Sequence, residues 1–185
     1  MEAGTGRTLT ASQCTKSDEA HRLDTLRDVL FYRSARLRRV TRATIAEQLE
    51  LAKRGEHPRL VCRVTSGWLF LGRYQFLPGY CVLAADPPVK GLNALTGEAR
   101  ARFLADMGRV GDALLKTTDA VRINYAILGN GDPALHTHLQ PRYADEKEPY
   151  RSGPVDLYPP SRLEAVPFNL ERDKPLMREL RRELE

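Results

Sequence analysis

The chain has 185 residues, of which 42% are hydrophobic, and carries a formal net charge of +5 at pH 7. This length and composition fit one domain with a single core, and no run approaches the roughly 18 apolar residues that a membrane span needs. Three scattered cysteines, Cys14, Cys62 and Cys81, are typical of neither a disulfide framework nor a Cys-x-x-Cys metal site.

The N-terminal part of the chain is predicted to lie outside the core. Residues 1–20 are small and polar, which predicts disorder, and residues 21–58 are predicted to form a helical extension. One helix begins near Asp24, a second stretch continues through Ile45 and Leu49, and the helical pattern breaks at residues 54–58. No secretory signal pattern is present at the start of the sequence, so a cytoplasmic location is expected.

Much of the positive charge belongs to the predicted N-terminal helix. A solvated basic face is the favoured interpretation, and a surface that attracts polyanions is the alternative. Phe31 and Tyr32 are the only aromatic residues near the basic residues of this helix that could stack on bases, so nucleic-acid binding is not expected. The basic residues are Arg33, Arg36, Arg38, Arg39 and Arg42.

Residues 59–145 are predicted to form the core. Strands at 60–65 and 68–71 flank a Ser66-Gly67 turn, and a third element crosses Pro78-Gly79 before Asp86-Pro87-Pro88 ends it. A long helix follows at 96–116, with Thr96 as its N-cap and Glu98 in its first turn. Its buried stripe is predicted to be Phe103, Met107, Val110 and Leu114.

The C-terminal part, residues 146–185, is predicted to contain a surface loop and a last helix. Residues 143–167 are rich in proline and charge, which indicates a loop that wraps the surface. Pro175 fits the first turn of the last helix, on which Leu176, Leu180 and Leu184 align. The predicted fold class is α+β, a mostly antiparallel sheet with one long helix on a face and extra N- and C-terminal helices.

The strongest functional signal is a row of polar side chains near residue 138. A strand at 121–128, a turn-rich stretch at 129–133 and a second strand predict a hairpin. Because side chains alternate along a strand, His136, His138 and Gln140 share one face and form this row. Pro141 is predicted to end the strand. A His-x-His pair can also bind metal or be half-exposed, but two imidazoles and an amide favour phosphate chemistry here.

This region resembles the histidine-triad superfamily, whose signature is His-x-His-x-His. The segment His136-Thr137-His138-Leu139-Gln140 is similar to the branch containing galactose-1-phosphate uridylyltransferase and diadenosine tetraphosphate phosphorylase, which carries Gln in the third place. Residues 76–83 resemble the Pro-Gly-His-x-Leu-Val strand entry, with Tyr80 where His is common. The resemblance covers roughly residues 60–145 and implies a HIT-like fold.

The resemblance also implies roles for the row. His138 would be the nucleophile that attacks the α-phosphorus of a nucleotide and forms a nucleotidyl-histidine. Its other ring nitrogen is expected to donate to a backbone carbonyl, which fixes the tautomer. His136 would orient the site and hold phosphate, and Gln140 would donate to a phosphate oxygen without relaying protons.

Further substrate contacts are expected around the row. Asn124, Asn130 and the Gly131 backbone are candidate phosphate contacts, although Asn130 is equally a left-handed turn residue. Members of the family usually carry an acidic ribose-binding residue at a position that falls near Gly72, and no carboxylate is present there. Gln75 is the candidate for a sugar contact in its place, and Arg73 is the candidate for a phosphate contact.

The sequence is compatible with three classes of function. The first is an enzyme; Gln140 favours a transferase or phosphorylase, whereas the short chain favours a small hydrolase. The second is a non-catalytic nucleotide-binding module, and the third is a metal-binding protein built on His136 and His138. The expected partner is a nucleotide or nucleotide sugar, with homodimerisation open. No cofactor, metal or membrane is expected for the leading function.

Overall fold

The computed structural model describes residues 43–185. The predictions for residues 1–20, the helix near Asp24 and the basic face lie outside the described residues. The described strands are β1 (Leu60–Val64), β2 (Gly67–Leu71), β3 (Cys81–Ala85), β4 (Arg122–Ala126) and β5 (His136–Arg142). The described α-helices are α1 (Ile45–Lys53), α2 (Gly97–Thr117), α3 (Pro160–Leu163) and α4 (Leu170–Leu184).

The strands form one antiparallel sheet in the order β1-β2-β3-β5-β4. The predicted hairpins around Ser66-Gly67 and around the 129–133 loop are both present, as β1–β2 and β4–β5. In β5 the register pairs His138 with Val82 of β3 and with Ala126 of β4. The predicted α+β class is confirmed, and β5 lies inside the sheet with a neighbour on each side.

One face of the sheet carries the larger apolar core. Helices α2 and α4 pack there. Of the predicted α2 stripe, Phe103, Val110 and Leu114 are completely buried, and Met107 is partly buried against the same core. Leu135 and Leu139 belong to the same core, so the apolar side chains that flank the histidines face α2. Burying this apolar surface holds the central strands in place, and with them the side chains on the opposite face.

Helix α1 packs on part of the opposite face, over β1, β2 and β3. Ile45 and Leu49 are buried against Phe70 and Ala84. The helix begins with a capping box, in which Thr44 accepts a hydrogen bond from the backbone of Glu47 and the Glu47 carboxylate accepts one from the backbone of Thr44. The remaining part of this face, on β5 and β4, carries the half-buried polar side chains.

Two predictions about proline are wrong. Pro141 does not end β5, which continues to Arg142 with Pro141 opposite Ile123. The pairing of β5 with β3 ends at Leu139, which is opposite Cys81, the first residue of β3. At Pro141 the strand therefore has β4 as its single neighbour, and a proline without an N–H is tolerated there. Pro175 lies inside α4, which begins at Leu170 because Asn169 caps it by accepting from the Arg172 backbone.

Within residues 43–185, none of the helices has the length and apolar character needed to cross a membrane.

Candidate active site

The side chains of β5 alternate between the two faces as predicted. Thr137 and Leu139 are completely buried on the α2 side. His138 and Gln140 are half-buried on the other face, and His136 on that face is 8% exposed. The strand therefore presents two imidazoles and an amide on the face that α1 leaves partly open.

His136 has a fixed hydrogen-bonding state. Its Nδ1 lies 2.7 Å from the carbonyl oxygen of Ala134. Because a carbonyl can only accept, this nitrogen carries a proton and donates. The His136 ring meets the His138 ring edge-on, with 5.0 Å between the ring centroids. The hydrogen bond to Ala134 thus fixes the orientation of the His136 ring beside His138.

The Nδ1 atom of His138 has a side-chain hydrogen-bond partner. It lies 2.6 Å from the Tyr80 hydroxyl oxygen, so the expectation of a backbone carbonyl at this nitrogen is wrong. The register explains the contact, because His138 is opposite Val82 and Tyr80 precedes Val82 by two residues on the loop that enters β3. The partner of His138 is therefore supplied by the loop that enters the neighbouring strand β3.

The environment of His138 keeps its imidazole neutral. Burial, and then the charge of His136, lowers the pKa of His138 from its ordinary value of 6.5 to about 4. At pH 7 the ring consequently retains one nitrogen lone pair. A neutral imidazole is the form that can attack phosphorus.

The turn before β3 is held by Gln75. Its amide nitrogen donates to the carbonyl oxygens of Gly72 and Tyr80, at 3.0 and 2.9 Å, and its amide oxygen accepts from the Gly79 backbone at 3.0 Å. Gln75 is only 5% exposed. Both ends of the amide are engaged inside the protein, which supports a structural role in presenting Tyr80 in place of the sugar contact expected from the sequence.

Gly72 has no room for a side chain. A Cβ atom at Gly72 would lie 2.3 Å from Cδ1 of Tyr80, because the phenol ring packs directly on the glycine. The Gly72 backbone also donates to the carbonyl of Tyr80 at 2.7 Å. The Tyr80 ring therefore occupies the space that a carboxylate side chain at position 72 would need.

Positive charge lies close to this turn. Arg73 is exposed, with its guanidinium 6.0 Å from the centre of the Tyr74 ring. Arg59 donates to the Leu71 carbonyl and to the Gln48 side chain. Burial, and then the charge of Arg73, lowers the pKa of Arg59. The two guanidiniums give this edge of the site an environment suited to an anion.

The 129–133 loop is anchored by an aspartate that the sequence analysis did not single out. Asp132 accepts from the Ala134 backbone at 3.0 Å and from the Ile45 backbone, at the start of α1, at 2.7 Å. Asn130 and Gly131 are exposed in this loop. The loop therefore joins α1 to β5, and the proposed phosphate contacts of Asn130 and Gly131 remain predictions.

A cavity of about 380 Å³ lies beside the row, along β4. Asn124 and Gln140 are directly opposite each other in the sheet and both line it. Its far side is formed by residues 154–156, so Asp156 is one of the lining residues. Sequence reasoning missed Asp156 because a residue in a long proline-rich loop carries no periodic signal. The other lining residues are Ile123, Tyr125, Ala126 and Leu128.

Among residues 43–185 there is no group of three or more His, Cys, Asp or Glu side chains arranged to hold a metal ion.

Comparison with solved structures identifies the fold. A histidine triad protein from Bradyrhizobium japonicum aligns with a TM-score of 0.58 and 22% identity over 68% of this chain and 90% of its own. A histidine triad (HIT) protein from Sinorhizobium meliloti gives a TM-score of 0.58 and 23% identity over 73% and 93%. A hypothetical histidine triad nucleotide-binding protein from Sulfolobus tokodaii gives 0.57 and 12% identity over 74% and 90%.

The chain thus has the fold of histidine triad proteins, as the resemblance in residues 136–140 implied. No family model and no curated protein matches the sequence.

Proposed function

We propose that this protein is a HIT-like enzyme that processes nucleotides through a nucleotidyl-histidine formed on His138. The observation that carries the proposal is the position of His138. It is a neutral, half-buried imidazole between His136 and Gln140, on a sheet face with a cavity beside it. The shared fold supports the same assignment.

The proposed reaction has two displacement steps. The Nε2 lone pair of His138 forms a bond to the α-phosphorus, the bond from phosphorus to the leaving oxygen breaks, and the leaving group departs with that electron pair. In the second step an acceptor oxygen from water, phosphate or a sugar phosphate attacks phosphorus. The N–P bond breaks, its electrons return to Nε2, and the acceptor proton passes to solvent.

The remaining side chains have binding roles in this proposal. His136 holds a phosphate oxygen beside the nucleophile, and Gln140 donates to a phosphate oxygen. The cavity beyond Gln140, with Asn124 and Asp156 on its walls, takes the leaving group or the acceptor. Arg73 binds phosphate at the opposite edge of the row, and Asn130 and Gly131 bind it from the loop.

A second candidate is a nucleotide-binding protein that does not turn its ligand over. Packing of Tyr80 on Gly72 favours it, because no carboxylate can stand at the place where a ribose contact is expected. A metal-binding role for His136 and His138 stays as the third hypothesis.

Intact-mass spectrometry separates these functions. The protein is exposed briefly to a panel of nucleoside polyphosphates and nucleotide sugars, and we expect a mass gain of one nucleotidyl group. His138→Asn should lose this adduct and reduce turnover by several orders of magnitude, because a nucleophile is removed. Its circular dichroism and melting temperature should remain those of a folded protein.

His57→Asn is the matched control, since His57 is a buried histidine outside the row. It should still form the adduct. Nucleotide binding without any adduct in the unsubstituted protein would favour the binding module, and unchanged turnover by His138→Asn would contradict the mechanism.

A further inference from the structure

We infer that Tyr80 is the positioning residue of the nucleophile: its hydroxyl oxygen accepts the Nδ1 proton of His138 and so leaves the lone pair on Nε2. This inference rests on the proposed function, because it assigns a task to Tyr80 in the attack by His138. It begins from the 2.6 Å separation between the Tyr80 hydroxyl and Nδ1.

The chemistry of imidazole makes the direction of this hydrogen bond decisive. A neutral ring carries one proton, so a proton on Nδ1 leaves the Nε2 lone pair available for attack. If the phenol donated to Nδ1, the proton would sit on Nε2 and that nitrogen could not attack. Attack also places positive charge on the ring, and a phenol oxygen that accepts from Nδ1–H stabilises it.

The structure holds Tyr80 at both ends for this task. The carbonyl oxygen of Tyr80 accepts from the Gly72 backbone and from the Gln75 amide, and the Tyr80 backbone donates to Leu77. The phenol ring lies against Gly72, where any side chain would collide with it. The ring also stacks near the His138 ring, at 5.9 Å between centroids. The fixed backbone and the packed ring of Tyr80 therefore hold its hydroxyl next to Nδ1 of His138.

This arrangement gives two independent ways to break the same contact. Tyr80→Phe removes the hydroxyl and keeps the ring. Gly72→Ala keeps the hydroxyl but displaces the ring, because the new Cβ would lie 2.3 Å from Cδ1 and 2.6 Å from Cε1 of Tyr80. Tyr74→Phe is the matched control, since it removes a phenol hydroxyl from the same loop.

The measurement is the rate of nucleotidyl-histidine formation in a single turnover with a nucleoside polyphosphate, alongside the equilibrium Kd for that nucleotide. We expect Tyr80→Phe to form the adduct about 10²-fold more slowly, since misplacing a reacting group costs about that factor. The Kd should change by less than about threefold. Gly72→Ala should show the same split, and the double variant should be no slower than Tyr80→Phe alone.

Nitrogen-15 NMR of the histidine ring tests the inference without turnover. In the unsubstituted protein the His138 spectrum should show a protonated Nδ1, and in Tyr80→Phe it should shift towards a mixture of tautomers. A spectrum with the proton on Nε2, or adduct formation at the same rate in Tyr80→Phe as in Tyr74→Phe, overturns the inference.

Two further results are distinguishable from these. If the unsubstituted protein forms no adduct with any nucleotide, the proposed function fails, and the ring spectrum still decides for or against the Tyr80 hydrogen bond. If Gly72→Ala does not fold, the comparison of Tyr80→Phe with Tyr74→Phe decides alone.

Discussion

At the scale of single residues, Gln140 distinguishes this row from one with three histidines. Its amide can donate a hydrogen bond to a phosphate oxygen, but it cannot take up or release a proton near neutral pH. It also lines the cavity, together with Asn124. A nucleotidyl-histidine on His138 would therefore meet water without help from a general base at this position, and we expect it to favour transfer.

We expect Gln140→His to raise hydrolysis relative to transfer. A titratable group beside the leaving oxygen supplies general acid–base assistance, which is commonly worth about 10²–10⁴-fold when it is well placed. The measurement compares turnover in water with turnover after addition of phosphate or a sugar phosphate. Asn93→His is the control, because it places an imidazole at an exposed position away from His138 and the cavity and should give no such gain. Rapid acceptor-free hydrolysis by the unsubstituted protein, with no gain from Gln140→His, would show that Gln140 is no marker of transfer.

His57 illustrates how burial makes a histidine sensitive to acid. Burial, and then the charge of Arg59, lowers the pKa of His57 to about 4 from an ordinary value of 6.5. As the pH falls from 6.5 towards 4, His57 becomes protonated in the unfolded chain but stays neutral in the folded protein. The free energy of unfolding therefore falls. His138 acts in the same direction.

His57→Asn should reduce this loss of stability. The asparagine oxygen can replace Nδ1, which accepts from the Arg59 backbone, but it does not titrate. Between pH 7 and pH 4.5 we expect the variant to lose about 2 kcal/mol less free energy of unfolding than the unsubstituted protein, from a shift of this size. Urea unfolding at the two pH values measures it, and an identical loss in both proteins would contradict the assignment.

At the scale of elements, the start of α1 and the entry to β5 are linked by Asp132. Its carboxylate accepts from the backbone at Ile45, the first residue of α1, and at Ala134, two residues before His136. An acceptor at a helix N-terminus satisfies an otherwise unpaired N–H. The carbonyl oxygen of Ala134 in turn accepts from Nδ1 of His136 and so fixes the His136 ring. The helix, the loop and the histidine row are consequently positioned by a short chain of hydrogen bonds.

At the scale of the whole molecule, the sheet separates stability from chemistry. The core with α2 and α4 lies on one face, and His138 and Gln140 lie on the other. Leu180 of α4 is completely buried in that core. Damage to the core should therefore lower stability while leaving the geometry of the row intact.

Leu180→Ala tests this separation. We expect a loss of about 3 kcal/mol in the free energy of unfolding, because a buried leucine is replaced by a cavity. At temperatures where the variant stays folded, adduct formation should remain within about twofold of the unsubstituted rate. Leu170→Ala, at a position that is 50% exposed, is the control and should change stability by about 0.5 kcal/mol or less. An equal loss of adduct formation and stability in Leu180→Ala would contradict the separation.

The sequence by itself determined the elements of the core and the faces of their side chains. The apolar spacing of Phe103, Val110 and Leu114 predicted α2 and its buried stripe, and alternation along β5 put His138 and Gln140 on one face. These features depend on local periodicity, which can be recognised from the spacing of apolar residues within one segment. The place of Pro175 within α4 escaped prediction because the Asn169 cap outweighed the proline as a signal for the helix start.

Only the tertiary structure decided what each polar side chain contacts. The hydrogen bond between Tyr80 and His138 joins residues 58 positions apart, and Asp132 reaches a backbone 87 positions away. Gln75 is occupied by its own turn, and Asp156 reaches the cavity from a loop without periodicity. Such contacts follow from strand register and from the packing of side chains between neighbouring strands, which the spacing of residues within one segment does not specify.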